Sequence, residues 1–330
     1  MSKIIIGIHG LGKKPAEPIL EKWWKRSIQE GLSALGHPRL WFRFKLVYWA
    51  DLLHEPCDPK ITDPRHPRFL KEPYTPGNPN EVRTPSRVRQ RFLDYLERQL
   101  DKLFLKKNLS IHFVAVTDFI MRSFFKDLDA YYSSTTITIN GQEQLLREVI
   151  RQRLAQVLRR HRKQRIMLIG HSMGSIIAYD VLSQTAPDVA IDTLVTVGSP
   201  LGMPIIIAKV ASEMKGRLVR RAKLQTPENV MRFWYNFSDL RDRVTLNYNL
   251  GDDYRPNSRG VHVVDKIVFN NYVYKGRKNP HKIYGYLRAP QFAQVVHEFL
   301  NYGRSQYMIW LSDQLNFALT KIIGFFKRNR

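Results

Sequence analysis

The chain has 330 residues, of which 43% are hydrophobic and 12% aromatic, which argues against wholesale disorder and favours a substantial buried core. Its 53 lysine and arginine residues against 29 aspartate and glutamate residues give a formal net charge of +24. Such a surface attracts polyanions, anionic lipid headgroups or nucleic acid, unless the charge serves solvation alone. The single cysteine, Cys57, excludes an intrachain disulfide, which fits a reducing compartment. The sequence also contains no signal-peptide pattern and no apolar stretch long enough to span a membrane, so we expect a cytoplasmic location.

Short apolar segments alternate with helical patterns along the chain. Strands are predicted at Lys3–Ile8, Trp41–Trp49, Arg165–Ile169, Thr193–Val197, Val230–Phe237 and Val261–Phe269. Helices are predicted at Pro18–Leu35, Gln142–His161, Ser175–Gln184 and Pro290–Tyr302. This alternation indicates an α/β fold with a mostly parallel central sheet and helices on both faces.

Two segments depart from this alternation, so we divide the chain into a main domain, residues 1–302, and a C-terminal helix, residues 303–330. Within the main domain, eight prolines between Pro56 and Pro85 mark the start of an insertion at about 52–134, which forms either a cap or an ordinary peripheral subdomain. The C-terminal segment is amphipathic and ends in basic residues. It is predicted either to pack onto the domain, which is the commoner fate of a terminal amphipathic helix, or to lie in a membrane interface.

The pentapeptide Gly170-His171-Ser172-Met173-Gly174 has the pattern G-x-S-x-G. A buried-strand pattern precedes it and a helix start follows it, which is the strand–turn–helix setting that this nucleophile motif requires. The flanking glycines permit the close packing of such a turn. We therefore predict that Ser172 is a nucleophile rather than an inert serine in a glycine-rich turn.

A nucleophilic serine needs a base and a carboxylate that orients the base, in the chain order serine, acid, histidine. Of the histidines that follow Ser172, His281 lies in a loop punctuated by proline and glycine, whereas His262 and His297 lie in strand and helix patterns. We predict His281 as the base. The carboxylate is expected just after the strand that ends near Phe237, where both Asp239 and Asp242 are candidates.

The tetrahedral intermediate also needs two backbone N–H donors. Met173, which follows the nucleophile, is predicted to supply one. Leu11 is predicted to supply the other from the loop after the first strand, where it is supported by His9, Gly10 and Gly12. This loop lacks the G-K-[ST] ending of a phosphate-binding P-loop.

These pieces resemble the α/β-hydrolase superfamily, in particular its lipase-like and esterase-like branch. The motifs that carry the resemblance are IHGLG at the first strand, GHSMGS at the elbow, TVGSPLG, DLRDRV and NPH. The resemblance covers residues 1–50 and about 135–302. It implies that the acid lies in a D-x-V turn after a late strand, which favours Asp242 over Asp239. The basic stretch KGRLVRRAK is not a feature of the superfamily.

The sequence therefore predicts a serine hydrolase that cleaves a carboxylic ester through an acyl-enzyme on Ser172, acting on an ester or lipid substrate. Basic patches and the C-terminal helix suggest peripheral contact with an anionic membrane. The alternative is a catalytically weak or inactive protein of the same fold that binds a membrane or a protein; thioesterase and amidase activity share the triad. No metal or cofactor is expected, and only charge favours nucleic acid.

Overall fold

A computed structural model of the chain describes residues 1–37, 40–77, 128, 130–215, 224–245 and 248–305. Most of the predicted insertion and almost all of the predicted C-terminal helix lie outside the described residues. None of the described helices is long and apolar enough to cross a membrane.

The described strands are short and distributed over the whole chain. In chain order they are β1 Lys3–Ile8, β2 Phe44–Val47, β3 Thr136–Ile139, β4 Gln142–Leu145, β5 Arg165–His171, β6 Ile191–Val197, β7 Leu224–Gln225, β8 Val230–Ser238, β9 Tyr254–Arg255, β10 Val263–Ile267, β11 Val273–Tyr274 and β12 Arg277–Lys278. The described helices are α1 Glu17–Ala34, α2 Leu146–Arg160, α3 Met173–Asp180, α4 Pro204–Lys215, α5 Ile283–Leu287 and α6 Pro290–Asn301. A π-helical turn, Val181–Thr185, extends α3.

Six strands form the central sheet in the order β10-β8-β6-β5-β1-β2, and each neighbouring pair is parallel. The central strands are continuous apolar runs, such as KIIIGI in β1 and the stretch after Arg165 in β5, because both faces of a parallel sheet are covered. In the register between them, Ile6 lies opposite Leu168. The α/β fold class predicted from the sequence is confirmed.

The side chains of β1 alternate between the two faces of the sheet. Ile4, Ile6 and Ile8 belong to the core that includes α2 and α3. Ile5 belongs to the other core, which includes α1, α5 and α6. Ile5 and Ile6 are both fully buried, and each such side chain contributes about 1.5–3 kcal/mol to folding.

The order of the strands defines where a site can form. From β1 the chain moves to β2 on one side and then returns to β5 on the other side of β1. In open parallel sheets, the loops at the carboxyl ends of strands separate at such a reversal and leave a crevice. The loop after β1 and the turn after β5 therefore meet at the edge where a binding crevice is expected.

One predicted helix begins later than the sequence pattern indicated. The prediction of a helix over Gln142–His161 is wrong in its first four residues, which form β4 and pair antiparallel with β3. The connecting residues Asn140 and Gly141 have φ of 52° and 78°. Positive φ at both positions is what a two-residue type I′ turn requires, and Asn-Gly is its preferred sequence.

Candidate active site

Ser172 occupies the sharp turn between β5 and α3. Its φ of 56° and ψ of −127° lie in a region that residues with a side chain rarely adopt, at a cost of about 1–3 kcal/mol. The turn is fixed on both sides, because the Ser172 N–H donates to Val197 O at 3.0 Å and the Ser175 N–H donates to Ser172 O at 2.9 Å. Ser172 is only 2% exposed. The strand–turn–helix context predicted around this serine is present.

The glycines around the turn allow the backbone segments to approach one another. A Cβ on Gly10 would lie 2.6 Å from Ser172 Cβ and 3.0 Å from Ser172 Oγ. A Cβ on Gly174 would lie 2.4 Å from Ile8 O, and one on Gly170 would lie 2.8 Å from Gly174 O. These distances are too short for a side chain at any of the three positions. The loop after β1 therefore packs directly against the serine.

His9 anchors this loop through both ring nitrogens. Its Nδ1 donates to Gly10 O at 2.8 Å, and its Nε2 accepts from the Trp49 N–H at 3.1 Å. The Trp49 indole stacks on the imidazole at 5.0 Å between ring centroids and donates to His9 O at 2.9 Å. Burial, reinforced by the charge of Lys14, lowers the pKa of His9 to about 3. His9 is therefore a neutral structural residue, which fits its predicted supporting role.

Leu11 and Met173 lie on the two segments that meet at Ser172. Among the backbone hydrogen bonds of the described residues, neither N–H donates to a protein carbonyl. Lys14 Nζ donates to the carbonyls of Leu11 and of Gly12, the latter at 3.1 Å, and so fixes the loop from its other side. Gly12 has a φ of 80°, so the chain turns away from the site immediately after Leu11.

Asp242 and His281 form a direct hydrogen-bonded pair. His281 Nδ1 donates to Asp242 Oδ2 at 2.8 Å, since a carboxylate oxygen can only accept. The Asp242 carboxylate is fully buried, and its other oxygen accepts from the Val244 N–H at 2.9 Å. The His281 side chain is 28% exposed, so the ring lies between the buried carboxylate and the solvent.

His281 also contacts the turn that holds the serine. His171 Nε2 donates to the backbone carbonyl of His281 at 2.9 Å, and the two imidazole centroids are 5.0 Å apart. Burial, together with the neighbouring His281, holds the pKa of His171 well below its usual range. His171 is therefore neutral. Since it directly precedes Ser172, its hydrogen bond links the turn at the serine to the loop that carries His281.

The two candidate carboxylates, Asp239 and Asp242, have different partners in the structure. Asp239 is bound by Arg241, whose Nε and Nη2 lie 2.9 and 2.5 Å from its two oxygens. It also accepts from the backbone N–H groups of Arg241 at 2.7 Å and Asn270 at 2.6 Å. Asp239 therefore holds the turn, whereas Asp242 contacts His281.

The other two downstream histidines lie away from this pair. His262 is exposed, and the nearest acceptor for its ring is Gly260 O at 3.4 Å. His297 lies on α6 and stacks on His37 at 3.9 Å between centroids. The structure thus brings His281, and neither His262 nor His297, to the elbow.

Three contacts of the site were not predicted from the sequence. The Tyr286 hydroxyl donates to Asp242 Oδ2 at 2.8 Å and accepts from the Asp239 N–H at 2.9 Å. Gly198, with a φ of 54°, lies beneath the pair, since a Cβ there would be 3.2 Å from Asp242 Oδ2 and 3.3 Å from His281 Nδ1. A signal for Gly198 was present in the TVGSPLG motif, but the sequence contains none for Tyr286.

The third contact comes from the proline-rich segment. Glu72 accepts from Asn279 Nδ2 at 2.8 and 3.0 Å, and Asn279 Oδ1 accepts from the His281 N–H at 3.0 Å. Lys282, whose pKa is lowered by burial, also pairs with Glu72 at 3.3 Å. The start of the predicted insertion therefore fixes the loop that carries His281.

Comparison with known families agrees with this architecture. A family model described as a PGAP1-like alpha/beta domain matches residues 77–240, just under half of the chain. That family is of the α/β-hydrolase type, and the match together with the six-stranded parallel sheet supports an α/β-hydrolase fold. The matched segment includes Ser172 and ends before Asp242. A comparison with curated proteins found no match.

The described residues contain no group of three or more histidine, cysteine, aspartate and glutamate side chains arranged to hold a metal ion. The expectation that the protein needs no cofactor stays a prediction.

Proposed function

We propose that the protein is a serine hydrolase that cleaves carboxylic esters through an acyl-enzyme on Ser172. The observation that carries the proposal is the pairing of a buried Asp242 with His281 Nδ1 at 2.8 Å, beside a serine with a strained backbone at the reversal point of the sheet. A glycine-rich turn with an inert serine would not require a carboxylate–histidine pair beside it. The conjunction of the two is the arrangement that activates a hydroxyl for nucleophilic attack.

In the first half of the reaction, Ser172 Oγ attacks the ester carbonyl carbon while its proton passes to His281 Nε2. Asp242 stabilises the resulting imidazolium through Nδ1. The negative charge that develops on the carbonyl oxygen is held by the N–H groups of Leu11 and Met173. When the tetrahedral intermediate collapses, the C–O bond to the alcohol breaks, the alkoxide takes the proton from His281, and the acyl group remains on Ser172.

In the second half, His281 removes a proton from water, whose oxygen attacks the acyl carbon. The intermediate is held by the same two N–H groups, and its collapse returns the proton to Ser172 Oγ and releases the carboxylic acid. We place esters before amides because an alkoxide leaves more readily than an amine. Thioesters share the chemistry and belong in the substrate panel, as do lipid esters. The single cysteine supports a cytoplasmic location for this activity.

The proposal is tested by reacting the purified full-length protein with a fluorescent fluorophosphonate, which bonds only to an activated nucleophile. We expect labelling of the wild type, none of Ser172→Ala and at least about a thousandfold slower labelling of His281→Ala. Ser175→Ala is the matched control, because Ser175 lies in the same motif but donates to Gly170 O at 3.0 Å. It should label like the wild type.

Panels of carboxylic esters, thioesters and amides then define the bond that is cleaved, with release of the acid as the readout. A folded wild type that neither labels nor hydrolyses any ester would overturn the proposal in favour of a binding protein with a hydrolase fold. Labelling that survives in Ser172→Ala would contradict the assignment of the nucleophile.

A further inference from the structure

A groove of about 430 Å³ lies at the opposite end of the sheet from Ser172. It is formed where β1 and β5 begin, by the segment before β2 and by the end of α6. Its lining includes Lys3, Trp41, Arg43, Arg165, Tyr302 and Arg304. Because Arg165 and Ser172 are seven residues apart along the same strand, the groove and the serine are separated by about 23 Å.

The groove carries more positive charge than its surroundings neutralise. Asp192 binds Arg165 at 2.9 Å and Arg232 at 3.4 Å. Among the ion pairs of the described residues, none joins Arg43 or Arg304 to an acidic side chain.

Lys3 adds to this surplus. Its ammonium donates to the carbonyls of Leu300 at 2.7 Å and Tyr302 at 2.6 Å rather than to a carboxylate. Burial lowers the pKa of Lys3, and the positive charges of Arg304 and Arg165 lower it further. This repulsion among cations marks a site that favours an anion.

Exposed aromatic rings lie among these cations. Trp41 is 70% exposed, with the Arg43 guanidinium 5.9 Å from its ring centroid. Tyr302 is 44% exposed and lies 3.4 Å from the Arg232 guanidinium and 4.2 Å from that of Arg165. Tryptophan and tyrosine beside basic residues suit the boundary between lipid headgroups and acyl chains, where the ring is partly desolvated and the cation contacts phosphate.

We propose that this basic–aromatic groove binds the surface of an anionic phospholipid membrane. Ser172 lies about 23 Å from this surface, so the groove recruits the protein to a membrane and does not deliver lipid to the serine.

The test uses the full-length protein and sedimentation with vesicles of phosphatidylcholine alone or mixed with phosphatidylserine, at about 0.1 M salt and at higher salt. The wild type should bind the mixed vesicles, bind pure phosphatidylcholine far more weakly, and dissociate as salt rises. The variant Arg43→Glu/Arg304→Glu should bind the mixed vesicles at least about tenfold more weakly, because each basic residue at such a surface contributes severalfold. Trp41→Ala should weaken binding at high salt as well.

The matched control is Arg255→Glu/Arg259→Glu, which changes the net charge equally at two exposed arginines outside the groove. It should retain binding within about twofold. Equal losses in both double variants, or retention of binding by Arg43→Glu/Arg304→Glu, would overturn the proposal.

Binding of the wild type to single-stranded DNA but not to vesicles, lost in Arg43→Glu/Arg304→Glu, would also overturn it and identify a nucleic-acid site. Fluorophosphonate labelling of the same variants separates this test from that of the proposed function. Charge reversal in the groove should leave the labelling of Ser172 unchanged, whether or not the vesicles are bound.

Discussion

The hydroxyl of Tyr286 donates to Asp242 Oδ2 at 2.8 Å, on the same carboxylate oxygen that accepts from His281 Nδ1. Tyr286 is fully buried at the end of the short helix α5, five residues after His281. Burial, with the negative charges of Asp242 and Asp239, raises the pKa of Tyr286 well above its usual range, so the hydroxyl remains a donor. One short segment thus supplies both the histidine and a second donor to its carboxylate.

Tyr286→Phe should lower kcat/KM on an activated ester about tenfold. A carboxylate that loses one of its donors holds the His281 imidazole less firmly in the orientation that presents Nε2 to the serine. Turnover of the activated ester measures this loss. Loss of stability is also expected, at about 1–3 kcal/mol, because the buried Asp239 N–H loses its acceptor.

Tyr284→Phe is the matched control for that variant. Tyr284 is buried on the same helix, but its ring packs against Tyr74 and Trp23 on the far side from Asp242. Its kcat/KM on the activated ester should match that of the wild type. If the two variants slow turnover equally, or neither does, Tyr286 has only a packing role.

Asp242→Asn and Asp239→Asn should separate catalysis from folding. An asparagine at 242 no longer holds the imidazole in the Nδ1–H tautomer, so fluorophosphonate labelling should slow by about 10³ to 10⁴-fold. An asparagine at 239 weakens the contact with Arg241 but leaves the Asp242–His281 pair intact, so urea unfolding should show a loss of about 1–3 kcal/mol with labelling within a few fold. The reverse pattern would make Asp239 the acid.

The features of the site that the sequence predicted are local ones. The apolar run of β5, the G-x-S-x-G pattern and the following helix lie within one continuous segment, so their order alone defines the turn at Ser172. The loop punctuated by proline and glycine before α5 likewise indicated a position from which the His281 imidazole can reach the elbow. The hairpin of β3 and β4 also has a local signal in the sequence, the Asn140-Gly141 turn. The apolar spacing of the following helix continues back into β4, however, and for this reason the pattern predicted a helix there.

The features that the sequence did not predict depend on contacts between distant segments. Asp239 and Asp242 occupy the same turn, and the long-range contacts that distinguish them are the Asn270 N–H at Asp239 and His281 Nδ1 at Asp242. Glu72 reaches the histidine loop across more than two hundred residues of chain. No local pattern distinguishes such partners from other polar residues, because only the tertiary fold brings them together.

Gly10→Ala should slow the labelling of Ser172 about a hundredfold while the protein still folds. The added Cβ would meet Ser172 Cβ at 2.6 Å and His171 O at 2.9 Å, so the loop after β1 must move away from the serine. A displacement of this size costs about a hundredfold in rate, which labelling kinetics measure. Gly36→Ala is the control, because its φ of 90° brings strain of about 1 kcal/mol but no atom lies within 4 Å of the new Cβ. Normal labelling of Gly10→Ala would refute the close approach.

The buried His9 should make the protein less stable in acid. Burial lowers its pKa to about 3, whereas in the unfolded chain it lies near 6.5, so between these values the unfolded state binds the extra proton. The stability that the neutral His9 contributes is therefore complete above about pH 6.5 and is lost as the pH falls towards 3. By pH 4.5 the loss from this residue is about 2 to 3 kcal/mol.

Urea unfolding of the wild type and of His9→Gln between pH 7 and 4.5 measures this dependence. Glutamine does not titrate and can accept from the Trp49 N–H, so the variant should be less stable at pH 7 yet lose less stability on acidification. Because His171 is also buried and neutral, and its pKa is also lowered, part of the acid sensitivity should remain in the variant. Equal slopes for the two proteins would mean that His9 takes up its proton without unfolding, which the contacts of both its ring nitrogens oppose.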